Sequence, residues 1–211
     1  MSGGKKSRKW MENHLKDEYV QRSQRDGYRS RASYKLLEID DKYKLLRPGQ
    51  VVIDLGAAPG GWTQVAADRV KADEEKGTVI ALDILPMDYV AGADIIEGDF
   101  TSDEVLAELM EKLDGRPVDL VISDMAPNLS GVKDIDQPRS MYLVELAVAL
   151  AEEVLRPGGA LLAKCFEGEG IEDLRKQYRQ SFRQVNNVKP KASRSHSREI
   201  YLLGRGAKRG A

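Results

Sequence analysis

The chain alternates two kinds of pattern. Short apolar runs rich in β-branched residues occur at 51–55 (VVIDL), 78–82 (TVIAL), 93–96 (ADII), 118–123 (VDLVIS) and 160–163 (ALLA). Between them, at roughly 61–71, 102–113 and 138–156, apolar residues recur three or four apart, the period of an amphipathic helix. Gly77 and the stretch Arg156-Pro157-Gly158-Gly159 punctuate the chain where strands should begin. This alternation predicts a parallel sheet with helices on both faces. After a helix near 170–181, the runs 183–188 (RQVNNV) and 199–203 (EIYLL) lie close enough together to form an antiparallel pair at the sheet edge. Upstream, 31–46 reads as a helix with Ala32, Leu36, Ile39 and Tyr43 along one side, and Leu143, Leu146, Leu150 and Val154 read as the core stripe of the long helix. No internal repeat or interior linker interrupts the pattern, which predicts one domain over 1–211 with mobile ends at 1–8 and 205–211.

Composition bounds the function without naming it. At 211 residues the chain can bury a sizeable core. No apolar run approaches the ~20 residues that span a bilayer, so no membrane partner is expected. The opening MSGGKKSRKW has basic residues but no apolar stretch after them, so no signal peptide is read there. Cys165 is the sole cysteine, which excludes an internal disulfide and suits a reducing cytoplasm. With His14 and His196 as the only histidines, soft ligands are too few for a zinc site, and no metal is expected. His196 reads as a surface residue and Cys165 as a small buried one.

Charge changes this picture, because the net value of −1 hides a segregation. Residues 1–35 carry a balance of +6 and residues 174–211 one of +10, while 36–173 carry −17. Basic ends around an acidic middle fit a polyanion held by the ends; solvated basic tails fit equally well at this point.

The candidate chemistry gathers behind the strands. Residues 51–64 (VVIDLGAAPGGWTQ) read as a buried strand opening onto a glycine-rich loop and a helix start. In doubly wound sheets ligands sit beyond the carboxyl ends of the strands. Gly56, Gly60 and Gly61 let backbone approach a ligand, and the helix start offers free N–H groups to an anion, carboxylate or pyrophosphate. Asp83 follows the second strand, where a carboxylate can take both hydroxyls of a ribose, and Asp99 follows the third, where one can accept from an adenine amine. Together they describe a rim for S-adenosylmethionine, whereas NAD fits less well because the loop lacks the dinucleotide spacing.

The segments RSRASYKLLEI (29–39), DLGAAPGGW (54–62), DILPMD (83–88), GDF (98–100), SDMAPN (123–128), KCFEG (164–168) and SREIYLL (197–203) resemble, in this order, those of the FtsJ/RrmJ ribosomal RNA 2′-O-methyltransferases. The similarity covers about residues 8–204. It implies a Rossmann-like, seven-stranded fold using S-adenosylmethionine, with Gly60, Trp62, Asp83, Asp99 and Asp124 on the cofactor. It also implies a Lys-Asp-Lys-Glu tetrad, which falls on Lys35, Asp124, Lys164 and Glu199. A charged stretch at 71–76 looks longer than usual, and Ser33-Tyr34 stands where an aromatic pair is common.

A ribose hydroxyl is a poor nucleophile until its proton is removed. Lys164 ends a strand on the cofactor rim and is the candidate base, provided it is neutral. The second cation Lys35 would favour that state; Asp124 and Glu199 would oppose it while orienting the lysines. Arg29 and Arg31 upstream of Lys35, and Arg194 and Arg198 beside Glu199, are the candidate RNA contacts. No Pro-Cys dipeptide supports covalent cytosine chemistry, and the loop Asp124–Asn128 lacks the paired prolines and aromatic of base amine methyltransferases. The resemblance implies a cytoplasmic, monomeric enzyme acting on a uridine in the A-loop of 23S rRNA within the 50S subunit. The alternatives are a tRNA or mRNA-cap 2′-O-methyltransferase, a catalytically silent RNA-binding assembly factor and an NAD-dependent oxidoreductase.

Overall fold

The computed structural model describes residues 17–127, 133–194 and 197–208; the expected mobile end at 1–8, His14 and His196 lie outside them. The described residues form a seven-stranded sheet in the order β3-β2-β1-β4-β5-β7-β6. The strands are β1 (Val51–Leu55), β2 (Thr78–Asp83), β3 (Ala93–Glu97), β4 (Val118–Ser123), β5 (Leu155–Phe166), β6 (Phe182–Val188) and β7 (Glu199–Ala207). All neighbours run parallel except β7, which is antiparallel to both β5 and β6. The predicted pair at 183–188 and 199–203 therefore forms, with β6 on the edge and β7 driven inward.

Six helices accompany the strands among the described residues: α1 (Glu18–Asp26), α2 (Ser33–Tyr43), α3 (Gly61–Val70), α4 (Asp103–Leu113), α5 (Lys133–Val154) and α6 (Ile171–Ser181). Alternating strand residues point to opposite faces. Ile53, Ile80, Val121 and Leu161 pack with α4, α5 and α6 on one face, and Val52, Val79, Leu120, Leu162 and Tyr201 pack with α2 and α3 on the other. Burial on both sides is why β1, β2 and β4 read as mostly apolar runs rather than alternating ones. No helix among the described residues is long and apolar enough to cross a membrane.

Three boundaries and one core stripe differ from the sequence reading. The stretch Arg156–Gly159 is not a turn before a strand but an irregularity inside β5: Val118 pairs with Leu155 and Leu120 with Ala160, so β5 accommodates extra residues there. Helix α5 begins at Lys133 and carries Pro138 inside it, five residues before the expected start. Its core line is Val144, Val148, Ala151 and Val154, whereas Leu143 and Leu146 are only half-buried. Residues 205–207, expected in a mobile tail, belong to β7, where Arg205 pairs with Ala160 and Gln184.

Helix α1 is new. It buries only Val20 and Ser23, so it has no apolar stripe to betray it. Its ends do carry signals: the Asp17 carboxylate accepts from Tyr19 N–H, and Gly27 adopts a φ of 78° just past the last turn.

Candidate active site

Strand register assembles the site. Leu55 pairs with Ser123 and Ser123 with Ala163, so Asp124, just past the end of β4, comes beside Lys164 within β5. Lys164 pairs with Tyr201, and Phe166 with Glu199. Residues two apart on a strand share a face, so Lys164, Tyr201 and Glu199 all project toward α2 and α3. Lys35 reaches them from α2, held by buried Leu36 and Ile39.

All four predicted tetrad residues meet there. The Lys35 Nζ lies 2.7 Å from Glu199 Oε1, and the Lys164 Nζ 3.2 Å from Asp124 Oδ1. Lys164 also donates to the Asp124 main-chain carbonyl. The two ion pairs are joined by a residue that sequence reasoning missed. Tyr201 is fully buried, and its hydroxyl donates to Asp124 Oδ1 at 2.7 Å, with Glu199 Oε1 at 3.5 Å. Burial and the two neighbouring carboxylates push the Tyr201 phenol well above its ordinary pKa, so it stays a neutral donor. The Lys35 ammonium lies 5.8 Å from the Tyr201 ring centroid, and Ser193 donates to Glu199 Oε1 at 2.8 Å. The motif SREIYLL held the signal, because Tyr201 is two residues from Glu199 on a strand.

The glycine loop is built differently from the expectation of open backbone. A Cβ on Gly56 would lie 2.5 Å from Met125 Cγ, and one on Gly60 2.8 Å from Arg29 Nη1. A Cβ on Gly61 would meet the hydroxyls of Ser30 and Ser33. These glycines let the β4 loop and the segment before α2 close onto the first loop. The first intrahelical bond of α3 runs from Gln64 N–H to Gly60 carbonyl, which leaves the N–H groups of its first turn as free donors.

The predicted cofactor residues divide into carboxylates open to a further partner and a buried brace. Asp83 ends β2; its Oδ2 accepts from Ala58 N–H and its Oδ1 from Leu85 N–H, both at 2.9 Å. One carboxylate thus ties the first loop to the second and keeps lone pairs for another partner. Asp99 is exposed, and the N–H and hydroxyl of Thr101 hold its carboxyl below the usual range. The Trp62 side chain is a brace: it is 3% exposed, donates from Nε1 to the Ala32 carbonyl at 2.8 Å and packs 5.6 Å from the Tyr201 ring. Only its main-chain N–H can face the rim.

Asp54 adds an unusual group beneath the loop. Its Oδ2 accepts from Thr63 Oγ1 at 2.8 Å, while its Oδ1 is buried without a hydrogen-bond partner. Burial, with the charges of Asp124 and Asp83 behind it, pushes its pKa up to about 7 despite the Thr63 bond.

The predicted RNA arginines also divide. Arg29 donates to the carbonyls of Pro59 at 3.2 Å, Asp88 at 2.7 Å, and Tyr89. Arg31 pairs with Asp17 and donates to the Ala192 carbonyl. Both guanidinium groups bond to the protein itself, whereas the expectation set them against a phosphate strand. Arg194 and Arg198 are exposed, Arg198 donating to the Glu167 carbonyl at 3.2 Å.

A sheet of this order, with a single antiparallel strand next to its edge, an acid-ended β2 and a reversal of strand order between β1 and β4, is the α/β sheet of the methyltransferase type. The chain belongs to the FtsJ-like methyltransferase family, whose model matches residues 28–207. It is 60% identical over 202 residues to a ribosomal RNA large subunit methyltransferase E of Chromohalobacter salexigens, covering 96% of this chain and 95% of that one. It is 57% identical over 206 residues to the protein of the same name from Pseudomonas aeruginosa, covering 98% of each. Among solved structures, one described as a ribosomal RNA methyltransferase from Plasmodium falciparum matches with a TM-score of 0.77 and 32% identity, over 85% of this chain and 98% of that one.

Proposed function

We propose that the protein transfers a methyl group from S-adenosylmethionine to a ribose 2′-hydroxyl of large-subunit ribosomal RNA, a uridine of the 23S A-loop in the 50S subunit. The observation that carries the chemistry is the pair of lysine–carboxylate contacts joined through buried Tyr201, at the carboxyl end of β4. Large-subunit rRNA follows the names of the relatives, which cover nearly the whole chain; the 2′-hydroxyl, the A-loop uridine and the 50S subunit follow the motif resemblance alone.

The residues present fit the cofactor. Asp83 keeps free lone pairs for ribose hydroxyls, and Ile84 and Leu85 beside it are 66% and 59% exposed, apolar surface for a flat base to cover. Asp99 stands next on the rim to accept from an exocyclic amine. The free N–H groups at the start of α3 suit a carboxylate. When bound, S-adenosylmethionine supplies an electrophilic methyl group.

The chain's own part is to orient the hydroxyl and remove its proton. A neutral lysine has two N–H donors and one lone pair. Asp124 offers Lys164 two acceptors, its Oδ1 and its carbonyl, so the remaining lone pair is left to take the 2′-OH proton. Tyr201 fixes Asp124 from the other side, and Lys35 with Glu199 lines the acceptor end. General-base action of this kind is worth roughly 10²–10⁴ in rate. Exposed Arg194 and Arg198 flank Glu199 and are the proposed phosphate contacts.

The test is labelled methyl transfer from S-adenosylmethionine to 50S subunits, free large-subunit rRNA and tRNA in parallel, for the parent and for Lys164→Ala. Labelling of 50S by the parent, abolished in the variant while cofactor affinity stays within about a few-fold, supports the reading. Labelling of tRNA in preference to 50S overturns the substrate. A variant that keeps more than about a tenth of the parent rate overturns Lys164 as the base.

A further inference from the structure

Arg29 sits where three segments converge. Its guanidinium bonds the carbonyl of Pro59 in the loop after β1 and those of Asp88 and Tyr89 in the loop between β2 and β3. Its main-chain N–H donates to Gln64 Oε1 at 2.9 Å, and Gln64 Nε2 donates to the Gly27 carbonyl at 3.1 Å. Further along, Ser33 Oγ donates to the Gly61 carbonyl at 3.0 Å. The segment 27–33 is thereby stitched along the glycine loop and the start of α3, and Arg29 extends the stitching to the β2–β3 loop.

That loop has little regular structure to hold it. Residues 86–90 belong to no helix or strand, and Ile84, Leu85 and Tyr89 present large apolar side chains to solvent. A planar guanidinium with several donors in a fixed fork can hold three carbonyls at once; an ammonium cannot match that geometry. Gly60 records the same closeness, since a Cβ there would press on Arg29 Nη1 and on Met87 Sδ at 3.1 Å.

We infer that Arg29 is a positioning residue for the nucleoside pocket: it clamps the β2–β3 loop against the glycine loop and so sets cofactor affinity, rather than gripping RNA. This rests on the reading that the rim takes S-adenosylmethionine. It also links the two halves of the site, because Arg29 lies on the segment that leads directly into α2 and Lys35. Neutralising Arg29 frees the loop whose residues flank Asp83. The cofactor must then order that loop as it binds, and affinity falls.

The experiment compares the parent, Arg29→Ala, Arg29→Lys and Arg194→Ala. Calorimetry measures S-adenosylhomocysteine binding, hydrogen exchange follows residues 84–92 in the cofactor-free proteins, and filter binding across a salt series measures RNA affinity. Arg29→Ala should weaken S-adenosylhomocysteine by about tenfold or more, because charged hydrogen bonds coupled to binding are removed. It should raise exchange in 84–92, leave the RNA salt slope unchanged and raise the cofactor KM more than it lowers kcat. Arg29→Lys should fall between, and it carries the test if the alanine variant does not fold. Arg194→Ala should show the reverse pattern. If the parent binds no S-adenosylhomocysteine, the function proposed above fails. If the parent binds it and both Arg29 variants bind it equally well, the clamp is wrong. A reduced RNA salt slope with unchanged exchange in 84–92 also overturns it, in favour of a phosphate contact.

Discussion

Asp54→Asn isolates the cost of a buried acid. In the native protein the Asp54 carboxyl rises from 3.8 to about 7, driven first by burial and then by the charges of Asp124 and Asp83. Its Oδ1 has no hydrogen-bond partner to offset the loss of water. The folded form therefore holds the proton more tightly than the unfolded chain. Below about pH 4 both states are protonated and the group is neutral to stability; as pH rises, the unfolded state loses its proton first and folding weakens, until both are ionised above about pH 7. A shift of about three pH units corresponds to about 4 kcal/mol, of which about 2–3 kcal/mol develops between pH 5 and pH 8. Asparagine copies the protonated acid: its oxygen can accept from Thr63 and its amide takes the place of the protonated oxygen. The variant should gain about 2–3 kcal/mol on the parent between pH 5 and pH 8. Urea unfolding of both proteins at the two pH values reads this difference. A variant-minus-parent difference that is the same at both, within about 0.5 kcal/mol, would refute the reasoning, since extrapolated stabilities carry errors of about 10–15%.

Tyr201→Phe should lower stability by about 1–3 kcal/mol, because Asp124 is deprived of a buried donor. It should also slow methyl transfer at saturating cofactor; an unchanged rate would show that Asp124 needs no support from that side. Trp62→Ala should cost about 3–5 kcal/mol in chemical unfolding, as expected for a buried aromatic brace; an effect confined to cofactor affinity would make the indole a ligand contact instead. Reversing Arg194 and Arg198 to Glu should weaken RNA binding and reduce its salt slope by about one for each phosphate no longer neutralised, while reversal at Lys112, in the acidic stretch, should do neither. Equal weakening by both sets would mean that the charge segregation along the chain has no counterpart on the surface.

Much of this architecture was legible because β1, β2 and β4 are flanked on both sides and are apolar at most positions, Asp54 and Asp119 being the acids inside them. The tetrad was legible by motif, and strand register explains why it closes: Lys164 opposite Tyr201 and Glu199 opposite Phe166 are consequences of one antiparallel pairing. What sequence concealed was commitment. Nothing in RSRASYK distinguishes an arginine that faces a phosphate from one that bonds main-chain carbonyls of distant loops, since Pro59, Asp88 and Tyr89 carry no side-chain signature for that role. The same holds for the glycines, whose small size was read as room for a ligand and also gives room to Met125, Arg29 and two serines. Helix α1 escaped because its burial is confined to Val20 and Ser23, too little for a period to show.

Strand β7 has a consequence for synthesis. It is the last element of the sheet to be made, yet it fills the gap between β5 and β6 and delivers Glu199 and Tyr201. A growing polypeptide can pair β1, β2 and β3, with Asp83 at the end of β2, while its final strand is still unmade. It cannot join Lys35 to Glu199, far along the chain, until that strand inserts. Such distant pairings form late, after the entropy of the intervening chain has been overcome. The four-residue cluster is thus complete only when the sheet is, and a prematurely terminated product would keep Lys164 beside Asp124 but lack the Glu199 that pairs with Lys35 and the Tyr201 that bonds Asp124.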